Sequence, residues 1–286
     1  MRMLKPTVRP FILAQLSDLH ICAPGVLAYG NIDTAAYLRT AIATLASLPC
    51  QPDALLLTGD LSDGGQPAQY AHLRQMLAPV AHLPTYCIPG NHDRRSELRR
   101  AFAAETGAGN DPAVRRDPSP YIQYTVNLGG LRLIALDSTV SGSDYGCLCP
   151  SRLAWLSHTL ARYRHEPVLI ALHHPPLATH IRHMDEVGLL EGREAFCALV
   201  AQYPNIQRII SGHIHRAAHA DLGHVTVSIA PSPAHQIAWN PAPSHRGAWT
   251  AEPPAFYLHS FYPGESVVSH LVACGEYPPH AFEAAA

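Results

Sequence analysis

Five short polar clusters lie along this chain, and at least the first four follow an apolar run that is typical of a β-strand. The clusters are Asp18-Leu19-His20, Gly59-Asp60, Gly90-Asn91-His92-Asp93, His173-His174 and Gly212-His213-Ile214-His215. The apolar runs before them are residues 11–16, 54–58, 85–88, 168–172 and 206–210. Side chains at the ends of adjacent strands can meet at one edge of a sheet, whereas scattered surface residues cannot. The pattern therefore predicts one site where these groups converge.

The clusters supply seven or eight oxygen and imidazole donors, enough to hold two metal ions side by side. Asp18 and His20 alternate along the chain, so both can point the same way, as can the two histidines of the last cluster. The carboxylate of Asp60 can bridge two cations with its two oxygens. No cysteine falls among the donors, and a mixed nitrogen and oxygen set favours Mn²⁺, Fe²⁺ or Fe³⁺, Co²⁺ or Zn²⁺ over Mg²⁺.

The composition fits a compact folded chain with no general affinity for nucleic acid. Its 286 residues are 47% hydrophobic and 15% charged, and the formal net charge is -2. A nucleic-acid binder usually carries a basic face. A small basic patch at Arg94, Arg95, Arg99 and Arg100 is best interpreted as a solvated helix face. No boundary divides the sequence, so we expect a single domain over residues 1–286.

The N-terminal segment and the cysteines indicate a cytoplasmic protein with no membrane partner. The apolar stretch at 11–16 is too short for a signal peptide and leads directly into the first cluster. No run approaches the roughly 20 apolar residues that cross a bilayer. Seven cysteines, an odd number, fit free thiols in a reducing compartment.

Strand and helix patterns alternate through the first two-thirds of the chain and predict a mixed pair of sheets with helices outside. Helices are expected near 33–48, 67–80, 94–104, 151–162 and 191–203, and Gly129-Gly130 predicts a hairpin. Short β segments follow His215. Residues 231–254 are rich in proline and carry Trp239 and Trp249, which predicts a packed loop that covers the site or forms an interface.

The clusters resemble the signature of the calcineurin-like metallophosphoesterase superfamily, which reads Asp-x-His, Gly-Asp, Gly-Asn-His-Asp, His and Gly-His-x-His. The match extends over nearly the whole chain. A closer similarity, to glycerophosphodiesterases and class III cyclic-nucleotide phosphodiesterases, lies in His173-His174-Pro175-Pro176, Tyr29-Gly30-Asn31-Ile32-Asp33 and Ala234-His235-Gln236. The resemblance implies a four-layer α/β/β/α sandwich of two mixed β-sheets flanked by helices, with metals at the strand ends.

The resemblance also implies roles for individual residues. A first metal would take Asp18, His20, Asp60 and His215, and a second would take Asp60, Asn91, His173 and His213. Hydroxide between the two ions would attack phosphorus, with Asp60 and His92 as the catalytic residues. Asn91, His92 and His235 would contact substrate, and His92 would stabilise the transition state or protonate the leaving oxygen.

Several alternatives stay open from the sequence. His174 could replace His173 as the ligand, and His235 could be an ordinary loop histidine. Asp63 and Asp93 are expected to orient histidines, while Asp137 either does the same or caps a strand end.

The function expected from the resemblance is hydrolysis of a small phosphodiester, either 3′,5′-cyclic AMP or a glycerophosphodiester. Asp63, where purple acid phosphatases place a tyrosine, disfavours that branch, and Asp93 replaces the glutamate of protein phosphatases. The alternatives are a nuclease, a broad-specificity phosphoesterase, and a scaffold without catalysis, which should lack some of the ligands. Association into a homo-oligomer is left open.

Overall fold

The computed structural model describes residues 9–108, 115–116, 120–242, 244, 246–278, 280 and 282. Its strands are β1 (Phe11–Leu16), β2 (Ala54–Thr58), β3 (Thr85–Ile88), β4 (Arg115–Arg116), β5 (Tyr124–Leu128), β6 (Leu131–Ala135), β7 (Gly146–Cys147), β8 (Val168–Ala171), β9 (Leu189–Glu191), β10 (Ile206–Ser211), β11 (Ala218–Leu222), β12 (Val225–Ile229), β13 (Gln236–Ile237), β14 (Trp249–Thr250), β15 (Ala255–Phe261) and β16 (Val268–Ala273). Its α-helices are α1 (Thr34–Ala46), α2 (Pro67–Met76), α3 (Arg95–Ala101), α4 (Pro150–Arg162), α5 (Arg182–Asp185) and α6 (Arg193–Val200).

The first large sheet has the strand order β16-β15-β1-β2-β3. Strands β1, β2 and β3 run parallel, whereas β15 and β16 are antiparallel to their neighbours. All five residues of β2 are buried, as expected for an interior strand of a sheet covered on both faces. The carboxyl ends of three parallel strands therefore meet at one edge, where the first three polar clusters begin.

The second large sheet has the order β11-β12-β10-β8-β6-β5-β4. Strands β6, β8, β10 and β12 are parallel, so the histidine clusters after β8 and β10 also lie at a common edge. Strand β5 joins β6 as the predicted hairpin. Gly129 and Gly130 have φ angles of 57° and 100°, the positive values that a two-residue hairpin turn of this kind requires.

Alternate residues of the second sheet face two different hydrophobic layers. Leu169 and Ala171 of β8 belong to the cluster that includes the first sheet with α1 and α2, whereas Val168 and Ile170 pack with α4 and α6. A strand sends successive side chains to opposite faces, so this division places the two sheets face to face with helices outside. The expected four-layer α/β/β/α sandwich is confirmed.

The expected helices are present, with different ends. Asp33 caps α1 as predicted, because its Oδ1 accepts the Ala36 N–H at 2.8 Å. Helix α2 ends at Met76 rather than near 80. Pro79 lies just beyond it, and proline cannot continue a helix because it lacks an N–H and clashes with the preceding turn. A short 3-10 turn at Ala78–Val80 replaces the last predicted turn.

Some elements carry no pattern that would predict them. The side chains of β11 are exposed or half-buried, so this edge strand lacks apolar alternation. The two-residue strands β13 and β14 pair with each other inside the 231–254 segment. All seven cysteines are free, in agreement with the expectation. Within the described residues, no helix is both long and apolar enough to span a bilayer.

Candidate metal centre

The turns that follow the first-sheet strands are joined by main-chain hydrogen bonds. The Asp18 N–H donates to the Gly59 carbonyl at 3.0 Å, and the His20 N–H donates to the Asp60 carbonyl at 2.9 Å. These bonds extend the pairing of β1 with β2 beyond the strand ends. Side chains from two clusters distant in sequence are therefore held in register by the backbone.

Five of the predicted metal ligands have left-handed backbone conformations. They are Asp18 (φ 57°), His20 (φ 45°), Asp60 (φ 51°), His213 (φ 75°) and His215 (φ 54°). Positive φ is uncommon in residues other than glycine and costs about 1–3 kcal/mol at each position. Such strain persists where the surrounding structure enforces it. Here the positive φ angles end the alternating directions of the strand side chains and turn these five side chains toward a common point.

One group of donors gathers where the first sheet meets the last histidine cluster. Nitrogen and oxygen atoms of Asp18, His20, Asp60 and His215 all lie within 4.8 Å of one another, and the four residues are buried. The Nε2 atoms of His20 and His215 are 3.1 Å apart. His20 Nε2 is also 3.6 Å from Asp60 Oδ2. This group matches the set that the resemblance implies for the first metal.

A second group shares Asp60 with the first. His173 Nε2 lies 3.4 Å from Asp60 Oδ2 and 3.1 Å from Asn91 Oδ1. His213 Nδ1 lies 3.1 Å from the same Asn91 oxygen. His174 is close by, but its Nδ1 faces Ser138 Oγ at 2.8 Å and its Nε2 faces the Asp144 carbonyl at 3.1 Å. Both ring nitrogens of His174 are therefore engaged, whereas the Nε2 of His173 is directed at the donor group.

The outer nitrogen of two of these histidines faces a carbonyl oxygen. His173 Nδ1 is 2.8 Å from the Thr58 carbonyl, and His215 Nδ1 is 3.2 Å from the His235 carbonyl. A carbonyl can only accept, so Nδ1 carries the hydrogen and, in a neutral ring, Nε2 keeps its lone pair. Hydrogen bonds of this kind orient metal-binding histidines and set their tautomer.

The inward-facing atoms fit metal ions. The buried Nε2 of His213 has no hydrogen-bond partner within the described residues. A cation bound to this nitrogen would satisfy it. Oxygen and imidazole donors of this kind suit first-row divalent metals. The donor set therefore agrees with the sequence prediction of metal ions.

Burial and charge favour the form that a metal requires for some of these donors but not for His20 and His173. Although burial opposes protonation, neighbouring carboxylates raise the pKa of His20, and Asp60 raises that of His173 to about 9. Burial works against ionisation of Asp60, but the neighbouring charge of His173 holds its pKa well below the ordinary value. Burial lowers the pKa of His213 to about 3 and also lowers that of His215, which keeps both rings neutral. Burial raises the pKa of Asp18 to about 6. A nearby cation favours the ionised form of such a carboxyl.

His92 lies beside the first group and touches the Asp60 carboxylate that both groups share. The His92 N–H donates to Asp60 Oδ1 at 2.9 Å, and its ring is edge-on to His20 with centroids 4.5 Å apart. His92 Nδ1 faces the carbonyl of Asp63 at 2.8 Å. The Asp63 carboxylate lies 3.4 Å from His20 Nδ1, so it is placed beside a histidine, as expected.

Asp93 has a different partner set from the one expected. Its carboxylate accepts the Leu61 N–H at 3.1 Å, the Gly90 N–H at 3.0 Å and the Tyr70 hydroxyl at 2.9 Å. The prediction that Asp93 orients a histidine is therefore wrong. Instead, Asp93 joins the turns after β2 and β3 through their backbone.

The basic patch is only partly a solvated helix face. Arg95 binds the buried Asp137 carboxylate, with Nε at 2.6 Å from Oδ2. Asp137 also accepts the Thr139 N–H at 3.0 Å, so it caps the end of β6. Arg100 is exposed and pairs with Glu97, as predicted for the whole patch. The pairing of α3 with β6 is tertiary and has no signal in the local sequence.

His235 is buried beside the first donor group and has two aromatic neighbours that were not predicted individually. Its ring centroid is 4.5 Å from that of His215 and 5.6 Å from that of His20. Tyr29 and Trp249 approach the His235 ring edge-on, at 5.5 Å and 6.3 Å. Both are exposed. The sequence shows Tyr29 and Trp249 only as two large aromatic residues. The fold is needed to show that both flank His235.

Comparisons with known proteins agree with this geometry. A model of the calcineurin-like phosphoesterase family matches residues 12–217. A probable glycerophosphodiester phosphodiesterase, GpdQ of Arcobacter nitrofigilis, is 30% identical over 272 residues, which cover 95% of this chain and 96% of the relative. A 3′,5′-cyclic-nucleotide phosphodiesterase of a Nostoc species is 32% identical over 227 residues, which cover 79% and 80%.

A solved structure shares the fold. It is a dimetal phosphatase from Danio rerio, which superposes with a TM-score of 0.65 at 15% identity. The superposition covers 93% of this chain and 99% of the other.

Gly90 offers a test of how tightly the donors are packed. A Cβ atom at this position would collide with the backbone nitrogen and the carboxylate of Asp60. We expect Gly90→Ala to displace Asp60, to lower the bound metal measured by elemental analysis, and to retain the circular dichroism of the folded chain. Gly64→Ala is the matched control, because its Cβ would meet only ordinary contacts at 3.7 Å. Full metal content in Gly90→Ala would contradict the packing argument.

Proposed function

The chain belongs to the calcineurin-like phosphoesterase family and is a metal-dependent phosphodiester hydrolase; we propose that a binuclear centre performs this hydrolysis. We propose as substrate a small diester, either 3′,5′-cyclic AMP or a glycerophosphodiester. The names of the relatives support these two classes. The observation that carries the proposal is the meeting of buried oxygen and imidazole donors from both sheets around Asp60.

We assign the ligands in two groups. One ion would be held by Asp18, His20, Asp60 and His215, and the other by Asp60, Asn91, His173 and His213. We expect Mn²⁺, Fe²⁺ or Fe³⁺, Zn²⁺ or Co²⁺ from the donor types. When bound, such ions supply a water of lowered pKa and positive charge beside the phosphoryl oxygens.

The remaining chemistry falls to side chains beside the metal ligands. The hydrogen bond of His92 Nδ1 to the Asp63 carbonyl leaves Nε2 as the atom that can reach the substrate. We assign to this atom the proton that the departing alcohol oxygen needs, a contribution typically worth 10²–10⁴ in rate. The carbonyl oxygen of Asn91 faces His173 and His213, so its amide N–H groups remain to bind a phosphoryl oxygen. His235, which packs against His20 and His215, would also contact the phosphate.

We further propose that residues 1–286 form one domain and that the 231–254 segment covers one side of the site. Arg216, which follows the last histidine cluster, supports this role for the segment. Its guanidinium donates to the Ile237 carbonyl at 2.8 Å and pairs with Glu252 at 2.8 Å. Trp239 lies on the same segment with 62% of its surface exposed, and we expect it at the contact if the chain forms a homo-oligomer.

A turnover panel in Mn²⁺ tests the substrate class. It compares bis(p-nitrophenyl) phosphate, p-nitrophenyl phosphate, 3′,5′-cyclic AMP, glycerophosphoethanolamine and single-stranded DNA. We expect the aryl diester and at least one of the two natural diesters to be hydrolysed faster than the monoester and the DNA. A clear preference for the monoester would contradict diester specificity, and a preference for DNA would indicate a nuclease.

His92→Ala separates the proton-transfer role from metal binding. Because His92 contacts Asp60 through its backbone N–H, which alanine keeps, we expect both metals to remain bound. The kcat for the aryl diester should fall by about 10²–10⁴, measured beside metal content. His82→Ala, at an exposed histidine, is the control. Loss of one metal equivalent in His92→Ala would instead make His92 a ligand.

A further inference from the structure

A cleft of about 770 Å³ opens beside His92, and we propose that it binds an anionic group on one ester arm of the substrate, recognised by Arg94. This inference rests on the proposed phosphodiesterase function. It adds a preference that the metal centre itself does not provide, because the metals bind the phosphate that all diesters share.

The cleft is continuous with the metal centre. Asn91 and His92 line its inner end and also border the donor groups. Arg94 and Ser96 line one wall, and the loop of residues 139–144 after β6 lines the other. If His92 protonates the departing oxygen, the arm attached to that oxygen extends from the phosphorus toward this cleft.

Arg94 is held at the cleft by its backbone and its stem. Its N–H donates to the Tyr70 hydroxyl at 3.0 Å, directly before α3 begins. Its aliphatic carbons lie over Gly65, where a Cβ atom would collide with Arg94 Cγ. The missing side chain at residue 65 therefore makes room for the stem. A guanidinium whose stem is packed loses less freedom when it binds a ligand.

The Arg94 guanidinium has no carboxylate partner among the described residues, whereas Arg95 and Arg100 each have one. Arg99 donates to the Tyr121 carbonyl at 2.6 Å. Arg94 therefore keeps its full charge and its N–H donors for a ligand. Guanidinium groups form bidentate bonds with phosphates and carboxylates that neutral arms cannot form.

The acidic groups of the cleft leave this charge largely uncompensated. Asp93 is bound by backbone N–H donors, and Asp63 lies against His20. Arg95 and Arg152 share the single carboxylate of Asp137, at 2.6 Å and 3.8 Å. Two guanidinium charges and one carboxylate charge leave one positive charge in excess beside the cleft. Asp144 is the exposed acidic group on the opposite wall. Its single negative charge is outweighed by Arg94 together with the excess positive charge of Arg95 and Arg152.

Three diesters that differ in one arm test the inference. They are glycerophosphoethanolamine with a cationic arm, glycerophosphoglycerol with a neutral arm, and glycerophosphoglycerol with a terminal phosphate. Loss of the diester signal in ³¹P NMR follows all three. The variants are Arg94→Gln, Arg94→Lys and Arg100→Gln, the last removing an exposed charge of helix α3 that does not line the cleft.

We expect Arg94→Gln to lower kcat/KM for the phosphate-bearing diester by about tenfold or more through a higher KM, since a charge-assisted hydrogen bond is lost. The other two diesters should stay within about twofold, and Arg94→Lys should recover part of the loss. Arg100→Gln should change none of the three. Equal losses on all three diesters, or no change on any, would overturn the role of Arg94.

Turnover by the wild-type enzyme distinguishes a failure of the Arg94 inference from a failure of the proposed phosphodiesterase function. Turnover of these diesters without any effect of Arg94→Gln on the anionic arm overturns this inference and leaves the proposed function in place. No turnover of any of the three, nor of the aryl diester, would remove the proposed function and the inference with it.

Discussion

The position of the Asp60 carboxylate is the constraint on which the rest of the site depends. Its Oδ2 atom lies 3.6 Å from His20 Nε2 and 3.4 Å from His173 Nε2, and these two histidines follow strands of different sheets. Its other oxygen accepts the His92 N–H. One side chain therefore connects the ends of both sheets and His92. A carboxylate that two donor groups share must be held from several sides, and both sheets end at this point.

The backbone strain and buried charge of this arrangement are confined to the site, whereas the hydrophobic burial that offsets them extends through the sheets. Proposed ligands such as Asp60 and His213 have positive φ angles, and buried carboxylates and imidazoles lie within a few ångströms of one another. Strain and buried charge both oppose folding. The two hydrophobic layers, on either side of the second sheet, supply the opposing term. A strained site can therefore exist at the edge of a rigid sandwich, which also fixes the distances that catalysis needs.

Most of the fold and the candidate donor set could be predicted from the sequence, because each cluster and its strand form one short continuous pattern. An apolar run followed by Asp18-x-His20 or His213-x-His215 can be recognised without knowing what lies nearby, and alternation indicates which side chains point together. Contacts between distant segments carried no such signal. The partners of Asp93 and the pairing of Arg95 with Asp137 depend on how α3 meets β6. The position of Trp249 beside His235 likewise depends on the path of the 231–254 segment.

Anomalous diffraction from crystals grown with Mn²⁺ locates the bound ions and so shows whether Asp60 joins two of them. We expect two peaks about 3.5–4 Å apart, with Asp60 in contact with both ions. His20 and His215 should bind one ion, and His173 and Asn91 the other. A single ion, or two ions of which Asp60 touches only one, would contradict this expectation.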